Sequence, residues 1–291
     1  MEYLNGINVK PYSVDEVGNV HFTDGTNNNI RPSQFICESY GYRYDTVSGS
    51  CMAFAVDPNL PMQMSGKNNL SRGSNDIGLK TDNGVLIGNN NTTNINRNVL
   101  VVGTGHELES YFNNSSVLGG SRAIITRDSE IAIGGGKQTF TQVDGEDTFT
   151  TSSRRQTSTI ELSGTTMDNT ATNLTVQGDG SSFINVKANS IIGYDIYITR
   201  LELGGSSGTA GNYSYRNIRG AVKIDRNYTM SFVVGFSRNI AKIGQNGTTI
   251  MADTSTSTLK SISVNVQDRN NVHNLWSASV TLHEVISETA F

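Results

Sequence analysis

The residues able to do acid–base, nucleophilic or metal chemistry are few and widely spaced. His21, His106, His273 and His283 would act as bases or metal ligands if carboxylates or further ligands stood beside them. No two fall at the i, i+4 spacing of a metal-binding helix, and no long helical pattern exists to carry them. His283 falls on the polar face of a strand and His106 follows a glycine turn, so each reads as a solvated surface residue. Gly103-Thr104-Gly105 opens like a dinucleotide fingerprint but lacks the third glycine and the following helix. Gly134-Gly135-Gly136-Lys137 ends like a phosphate loop, yet Gln138 stands where Ser or Thr is required. The acidic run Asp144-Gly145-Glu146-Asp147 is too short for a calcium loop. The expectation is no catalytic residue, no cofactor site and no metal site.

Cys37 and Cys51 flank a segment in which Tyr40, Tyr42 and Tyr44 alternate before turn residues from Asp45 to Gly49. That pattern predicts a hairpin with an aromatic stripe on one face. Two cysteines fourteen apart across a hairpin could form a disulfide, whereas a chain made in a reducing cytosol would keep them free. A zinc site needs four ligands, and neither a CxxC pair nor clustered histidine accompanies these two.

Positioning such residues falls to a chain poor in apolar and charged side chains alike. Hydrophobic residues make up 35% and charged residues 16% of 291, both below the usual share of a globular domain. Val, Ile, Thr and Tyr in alternating runs favour a β-rich protein over disorder. A net charge of −4 offers no basic field for nucleic acid. No run of 18 apolar residues predicts a membrane span, and the N-terminus lacks the pattern of a secretory signal.

Three zones follow one another. Residues 1–78 hold all four prolines and both cysteines and read as irregular. Residues 79–137 repeat an apolar triplet closed by glycine: Val85-Leu86-Ile87-Gly88, Leu100-Val101-Val102-Gly103, Ser116-Val117-Leu118-Gly119 and Ile131-Ala132-Ile133-Gly134. Gly88, Gly103, Gly119 and Gly134 are thus 15, 16 and 15 residues apart. A second, weaker apolar position follows at Ile95, Leu108 and Ile124. A short fixed period of this kind predicts a β-solenoid with glycine at tight bends. A coil of fifteen residues has few apolar side chains to close an interior, which three copies around an axis would supply. Residues 138–154 read as a polar connector. Residues 155–291 give short alternating strands, most clearly at Ile191–Leu203 and Leu275–Val285, and predict an antiparallel β-sandwich of jelly-roll type.

The SVLG and IAIG repeats with Asn- and Ser-rich returns resemble the head repeats of trimeric autotransporter adhesins and the shafts of bacteriophage fibres. The C-terminal stretch, from its Gly/Ser-rich loop through Ile218–Ile224 to Trp276–Leu282, resembles a module at the ends of phage tail-fibre proteins. The Tyr-rich cysteine segment resembles fibre proteins of crAss-like phages. These resemblances imply an all-β, intertwined homotrimeric fibre localised to the virion. The N-terminal segment would attach to a capsid or tail protein, and the particle would touch a host-surface glycan or protein, without nucleic acid or membrane insertion. They also imply two rivals: a polysaccharide depolymerase, whose acids here would be Glu107, Glu109, Asp128 and Glu130 in solenoid turns, and a bacterial surface adhesin.

Overall fold

The computed structural model describes residues 2–15, 18–46, 48–53, 63–64, 66–144, 147–245, 248–253 and 260–288. It is nearly all β. Among the described residues no helix is long and apolar enough to cross a membrane.

The N-terminal zone is more ordered than its composition predicts. β1 (Lys10–Val14) and β2 (Val20–Thr23) pair antiparallel, as do β3 (Arg43–Asp45) and β4 (Ser50–Met52). Between them lies one short helix, α1 (Gln34–Ser39), capped by the Ser33 side chain, which accepts from the Ile36 N–H. Cys37 therefore stands on a helix rather than on a hairpin arm, because the hairpin begins only at Arg43. Cys37 and Cys51 are joined in a disulfide. They are buried with Val20 and Phe22. The Tyr40 and Tyr42 rings meet Phe22 edge-on at 5.8 and 6.4 Å, so the stripe of tyrosines packs inward.

A β-solenoid follows. One parallel sheet contains β6 (Leu70–Ser74), β8 (Asp82–Asn89), β10 (Arg97–Thr104), β12 (Ser116–Ser121) and the start of β14 (Ile131–Asp144). The other contains β5 (Gln63–Met64), β7 (Ile77–Leu79), β9 (Thr92–Asn94), β11 (Glu107–Leu108) and β13 (Ile124–Ile125). The solenoid thus begins before residue 79, in a coil whose Leu70-Ser71-Arg72-Gly73 lacks the apolar triplet.

Glycine sits where successive coils nearly touch. A Cβ on Gly88, at φ +138°, would lie 1.8 Å from the Gly103 carbonyl oxygen. The same stack continues through Gly103, Gly120 and Gly134. Gly119, expected in this column, has nothing within 4 Å of its Cβ position. The 16-residue spacing is absorbed by a register shift between Val117 and Gly120, and that shift moves the close contact on by one residue.

Asparagine makes the corners. Asn68, Asn83, Asn98 and Asn114 all have φ near +55°, a conformation asparagine tolerates better than most. Their side-chain amides bond along the stack at 2.9–3.1 Å. Ile95 is also a positive-φ corner residue. The inward position of its coil is therefore Thr93, fully buried, and not Ile95.

The solenoid interior closes within one chain. Leu86, Val99, Val101, Leu108, Val117, Ala123, Ile125 and Ala132 form an apolar cluster. Polar side chains complete it by bonding to the next coil: Asp76 accepts from the Asn91 N–H (2.9 Å), Asn91 from the His106 N–H (3.1 Å), and His106 Nδ1 from the Ala123 N–H (3.0 Å). The premise that a coil needs three chains to close its interior is corrected by these ladders, since stacked coils present the same backbone N–H donor at every turn. His106 is accordingly buried, not solvated.

The stretch 138–154, expected as a connector, lies in two paired strands. β14 runs on to Asp144 and pairs antiparallel with β15 (Asp147–Thr166). The acidic run 144–147 lies in part outside the described residues. The remaining strands are β16 (Thr172–Val176), β17 (Ile184–Asn185), β18 (Ser190–Gly204), β19 (Tyr213–Ile224), β20 (Met230–Ile243), β21 (Thr248–Asp253), β22 (Ser261–Gln267) and β23 (His273–Ser287). They build the antiparallel sandwich. One sheet runs β15-β23-β18-β19-β20; the other centres on β22, paired with β16, β17 and β21. Tyr194, Ile196, Ile198, Trp276, Ala278, Val280 and Leu282 point into its core, on the faces their alternation predicts. Through the β14–β15 pairing, the larger sandwich sheet and one solenoid sheet are a single sheet.

Candidate functional site

The outward face of that shared sheet is where exposed side chains of one kind accumulate. In a strand, alternate residues face opposite ways. Leu86, Val101, Val117 and Ala132 point inward, so their neighbours point out. Leu70, Val85, Leu100, Ser116 and Ile131 stand in one cross-strand row, and Arg72, Ile87, Val102 and Leu118 in the next. Ile87, Leu100, Leu118, Ile131 and Ile133 are large and exposed, Leu118 and Ile133 to 53%.

The first row does not stop at the solenoid. Ile131 is opposite Thr159, Thr159 opposite Thr281, Thr281 opposite Asp195, Asp195 opposite Arg219 and Arg219 opposite Phe236. Ten strands spaced by about 4.8 Å carry the row roughly 43 Å. Its chemistry changes along the way, from aliphatic on the solenoid, through threonine, to arginine and aromatic side chains.

At the Arg219 end lies a shallow groove of about 360 Å³ lined by Tyr197, Asn217, Arg219, Phe236, Arg238 and Ile240. Tyr197 and Tyr215 stack at 5.7 Å. Arg219 donates to the Tyr197 hydroxyl at 3.1 Å and pairs with Asp195 at 3.0 Å. The guanidinium is thereby already committed, and the groove is a fixed polar–aromatic surface.

A second groove, of about 480 Å³, lies on the other solenoid sheet and is lined by Thr92, Asn94, Glu107, Leu108, Glu109 and Ser110. Glu107 and Glu109 alternate about Leu108 and flank this groove together. Glu107 pairs with Arg154 at 3.3 Å and Glu109 with Lys187.

Glu130, expected in a turn, is instead fully buried where the last coil meets the sandwich. Arg127 bridges Glu130 at 3.0 Å and Glu284 at 2.6 Å, and its Nε donates to the Asn185 carbonyl at 2.7 Å. Gln156 donates to Glu284 at 2.8 Å. Burial pushes the Glu130 carboxyl above its ordinary range. Burial acts the same way on Glu284, but the Arg127 charge and its hydrogen bonds outweigh it and hold that carboxyl low. Arg127 is thus the electrostatic pin of the junction, and neither carboxylate reaches a groove. Asp128 accepts the Asn113 N–H at 2.7 Å as part of the coil ladder.

Gly103-Thr104-Gly105 and Gly134–Lys137 both lie in or beside solenoid strands, away from any helix. Against the expectation of no serine-elbow motif, Gly204-Gly205-Ser206-Ser207-Gly208 fits its spacing. It joins two antiparallel strands and lacks the strand–turn–helix setting that exposes such a nucleophile; no hydrogen bond links the side chain of Ser206 or Ser207 to nearby His273. Among the described residues no three His, Cys, Asp or Glu side chains gather as a metal site. The outward row escaped sequence reading because most of its members are ordinary aliphatic residues; the signal was that both neighbours of the buried Leu86, Val101 and Ala132 are also apolar.

No family model matches the chain. Nor does any curated protein. Among solved structures, the tailspike protein gp49 of Acinetobacter baumannii bacteriophage Fri1, a capsular polysaccharide depolymerase, is 8% identical and aligns with a TM-score of 0.20 over 73% of this chain and 44% of the tailspike. The chain spans less than half the length of that tailspike.

Proposed function

We propose that the chain is a fibre-type structural component of a phage virion, working as a homotrimer that projects from the particle and contacts the host surface. The observation that carries this reading is the outward row: a rigid sheet about 43 Å long whose solenoid half exposes Ile87, Leu100, Leu118, Ile131 and Ile133 side by side. Monomeric proteins rarely leave so contiguous an aliphatic face in water. Because each coil closes its own interior, the three chains meet face to face along these rows and do not share one interior. The compact disulfide-tied unit ahead of the solenoid suits attachment to a capsid or tail protein. The Tyr197–Tyr215 stack and the groove beside it suit a glycan or protein surface.

Light scattering on the full chain tests the assembly, with a mass of three chains expected and a mass of one chain overturning it. Negative-stain images of parent virions labelled with antibody to residues 155–291 test the location.

One observation favours a second reading, a polysaccharide-cleaving enzyme. Glu107 and Glu109 are two residues apart and line one groove, and a pair of carboxylates in one groove is what glycosidases use. Hydrolysis of capsular glycans by the purified protein, lost in Glu107→Gln and Glu109→Gln, would establish it. Lack of cleavage across a capsule panel leaves the fibre reading in place.

A further inference from the structure

One polar column inside the solenoid has an odd member. Asp76, Asn91 and His106 hold the same place in three successive coils, each accepting a backbone N–H of the next coil through one side-chain atom. The second polar atom sets them apart. Asn91 Nδ2 donates to the Gly103 carbonyl at 3.0 Å. Neutral His106, with Nδ1 accepting, carries its ring proton on Nε2 and so presents a donor too, itself without a partner. Asp76 presents a carboxyl oxygen instead. The residue is 1% exposed, and its Oδ2 is buried without a hydrogen-bond partner.

The repeat shows what that oxygen faces. Gly103 stands 12 residues after Asn91, and the residue at the same distance from Asp76 is Gly88, which pairs in register with Gly103. Asp76 Oδ2 therefore takes the place of an amide that donates to a glycine carbonyl. A carbonyl oxygen only accepts, so an ionised Asp76 would set two acceptors against each other. A buried charge left in this way takes up a proton instead. Ser71, in the inward place of Leu86, also has a buried oxygen without a partner.

Among the described residues no opposite charge faces it. Lys67, Arg72 and Lys80, the cations of its own coil, are exposed. Asp82, the one charged residue of the next coil, stands at a corner and accepts the Lys67 N–H. Fifteen residues before Asp76 the sequence has Pro61, which carries no charge. His106 is the nearest titratable group inside, two coils on and about 10 Å along the stack. Burial accordingly pushes the Asp76 carboxyl above its ordinary 3.8, against the pull of the Asn91 amide and the nearby Ser71 hydroxyl.

We infer that Asp76 is the neutral acid in the folded solenoid, donating from Oδ2 to the Gly88 carbonyl, and that its coil is a pH-sensitive element, tight in acid and loosened as the pH rises. The proton comes from solvent on folding. The folded chain holds it more firmly than the unfolded one. The stability it contributes is therefore fully present below 3.8 and is lost as the pH rises through the higher folded value. At neutral pH the aspartate costs stability that an asparagine, as at residue 91, would not. The device belongs to the coil that follows the disulfide-tied unit, and it holds whether or not the chain is a fibre.

Hydrogen exchange of the full chain tests this, with protection factors for peptides within residues 66–96 measured from about pH 5 to about pH 9. Wild-type protection should fall by up to about tenfold per pH unit above the folded value, the slope of one proton. Asp76→Asn should lack that slope and be about tenfold or more better protected at the alkaline end. His106 is present in both proteins and cancels from the comparison. A protonated-carboxyl band in the infrared spectrum of the wild type, missing in the variant, is the second measurement, and its absence at the acid end overturns the inference. An Asp76→Asn chain that fails to fold, is no better protected at the alkaline end, or keeps the wild-type slope overturns it as well. So does a gain in the wild type's alkaline protection on adding calcium chloride that the variant does not share, since a cation rather than a proton would then join the two oxygens.

Discussion

In the solenoid, Leu86, Val101 and Val117 share their interior with Thr93, Asn91, Asn96 and His106, all buried. In the sandwich, Ile160, Leu162, Ile196, Val264, Val280 and Leu282 pack with aliphatic and aromatic neighbours. The difference follows from topology. Parallel coils repeat the same backbone groups about every 4.8 Å, so a side chain that bonds to one coil finds the same partner at the next. Antiparallel strands of unequal length offer no such repeat, and the sandwich has to exclude water with apolar area instead. A chain with 35% hydrophobic residues concentrates them in the head, whose apolar cluster is larger than that of the solenoid.

The boundary between the two regimes is the buried Arg127 junction, and it is the place where the comparison is most easily broken. Arg127→Met leaves Glu130 and Glu284 buried without a cation, and breaking a buried pair in this way costs about 3–5 kcal/mol. Denaturant unfolding of the full chain measures it. If solenoid and head are coupled through this site, their transitions separate in the variant; a single unshifted transition would show the junction to be incidental.

Within the solenoid, glycine placement gives the next largest effect. Gly88→Ala puts a Cβ against the Gly103 carbonyl on a backbone that L side chains rarely adopt, for a loss of about 2–4 kcal/mol. Gly119→Ala meets open space and suffers only backbone strain, about 1–2 kcal/mol. Thermal melts of the pair separate coil contact from conformational preference. Equal losses would mean that stacking distance is not what selects glycine.

Much of this was legible in the residues. Alternation placed Tyr194, Ile196 and Ile198 correctly, and the triplet period gave the solenoid. The substitution of Gly120 for Gly119 was not legible, because a one-residue bulge leaves the motif intact while moving the close contact. The first coil was hidden because Ser71 and Arg72 replace its triplet. The asparagine corners carry the same spacing as the glycines, at residues 68, 83, 98 and 114, and would have revealed that coil. Glu130 was expected in a turn, since nothing in sequence shows that Arg127 lies between it and Glu284.

Polar interior residues of the solenoid carry the next prediction. Asn96 donates to the Glu109 and Phe112 carbonyls at 2.8 Å and accepts the Asn94 N–H at 2.7 Å. Asn96→Leu adds apolar surface but orphans three backbone groups, so stability falls by about 1–3 kcal/mol. The sign is the point. A solenoid stabilised like the sandwich would gain from the leucine, and a rise in melting temperature would erase the distinction between the two interiors.

The smallest effect is one of pH. Burial lowers the His106 pKa below its ordinary 6.5, since the ring is inside the coil with Nδ1 accepting from Ala123. The unfolded chain then takes up a proton near pH 6.5 that the folded chain refuses. Stability contributed by the neutral ring is fully present above 6.5 and is lost as pH falls through that value toward the lower folded pKa. His106→Gln keeps an acceptor in the column but cannot titrate. Melts between pH 8 and 5 should show the wild type losing stability over the acid half of this range relative to the variant. Parallel curves would mean that the ring is protonated in place, and that the ladder tolerates a charge.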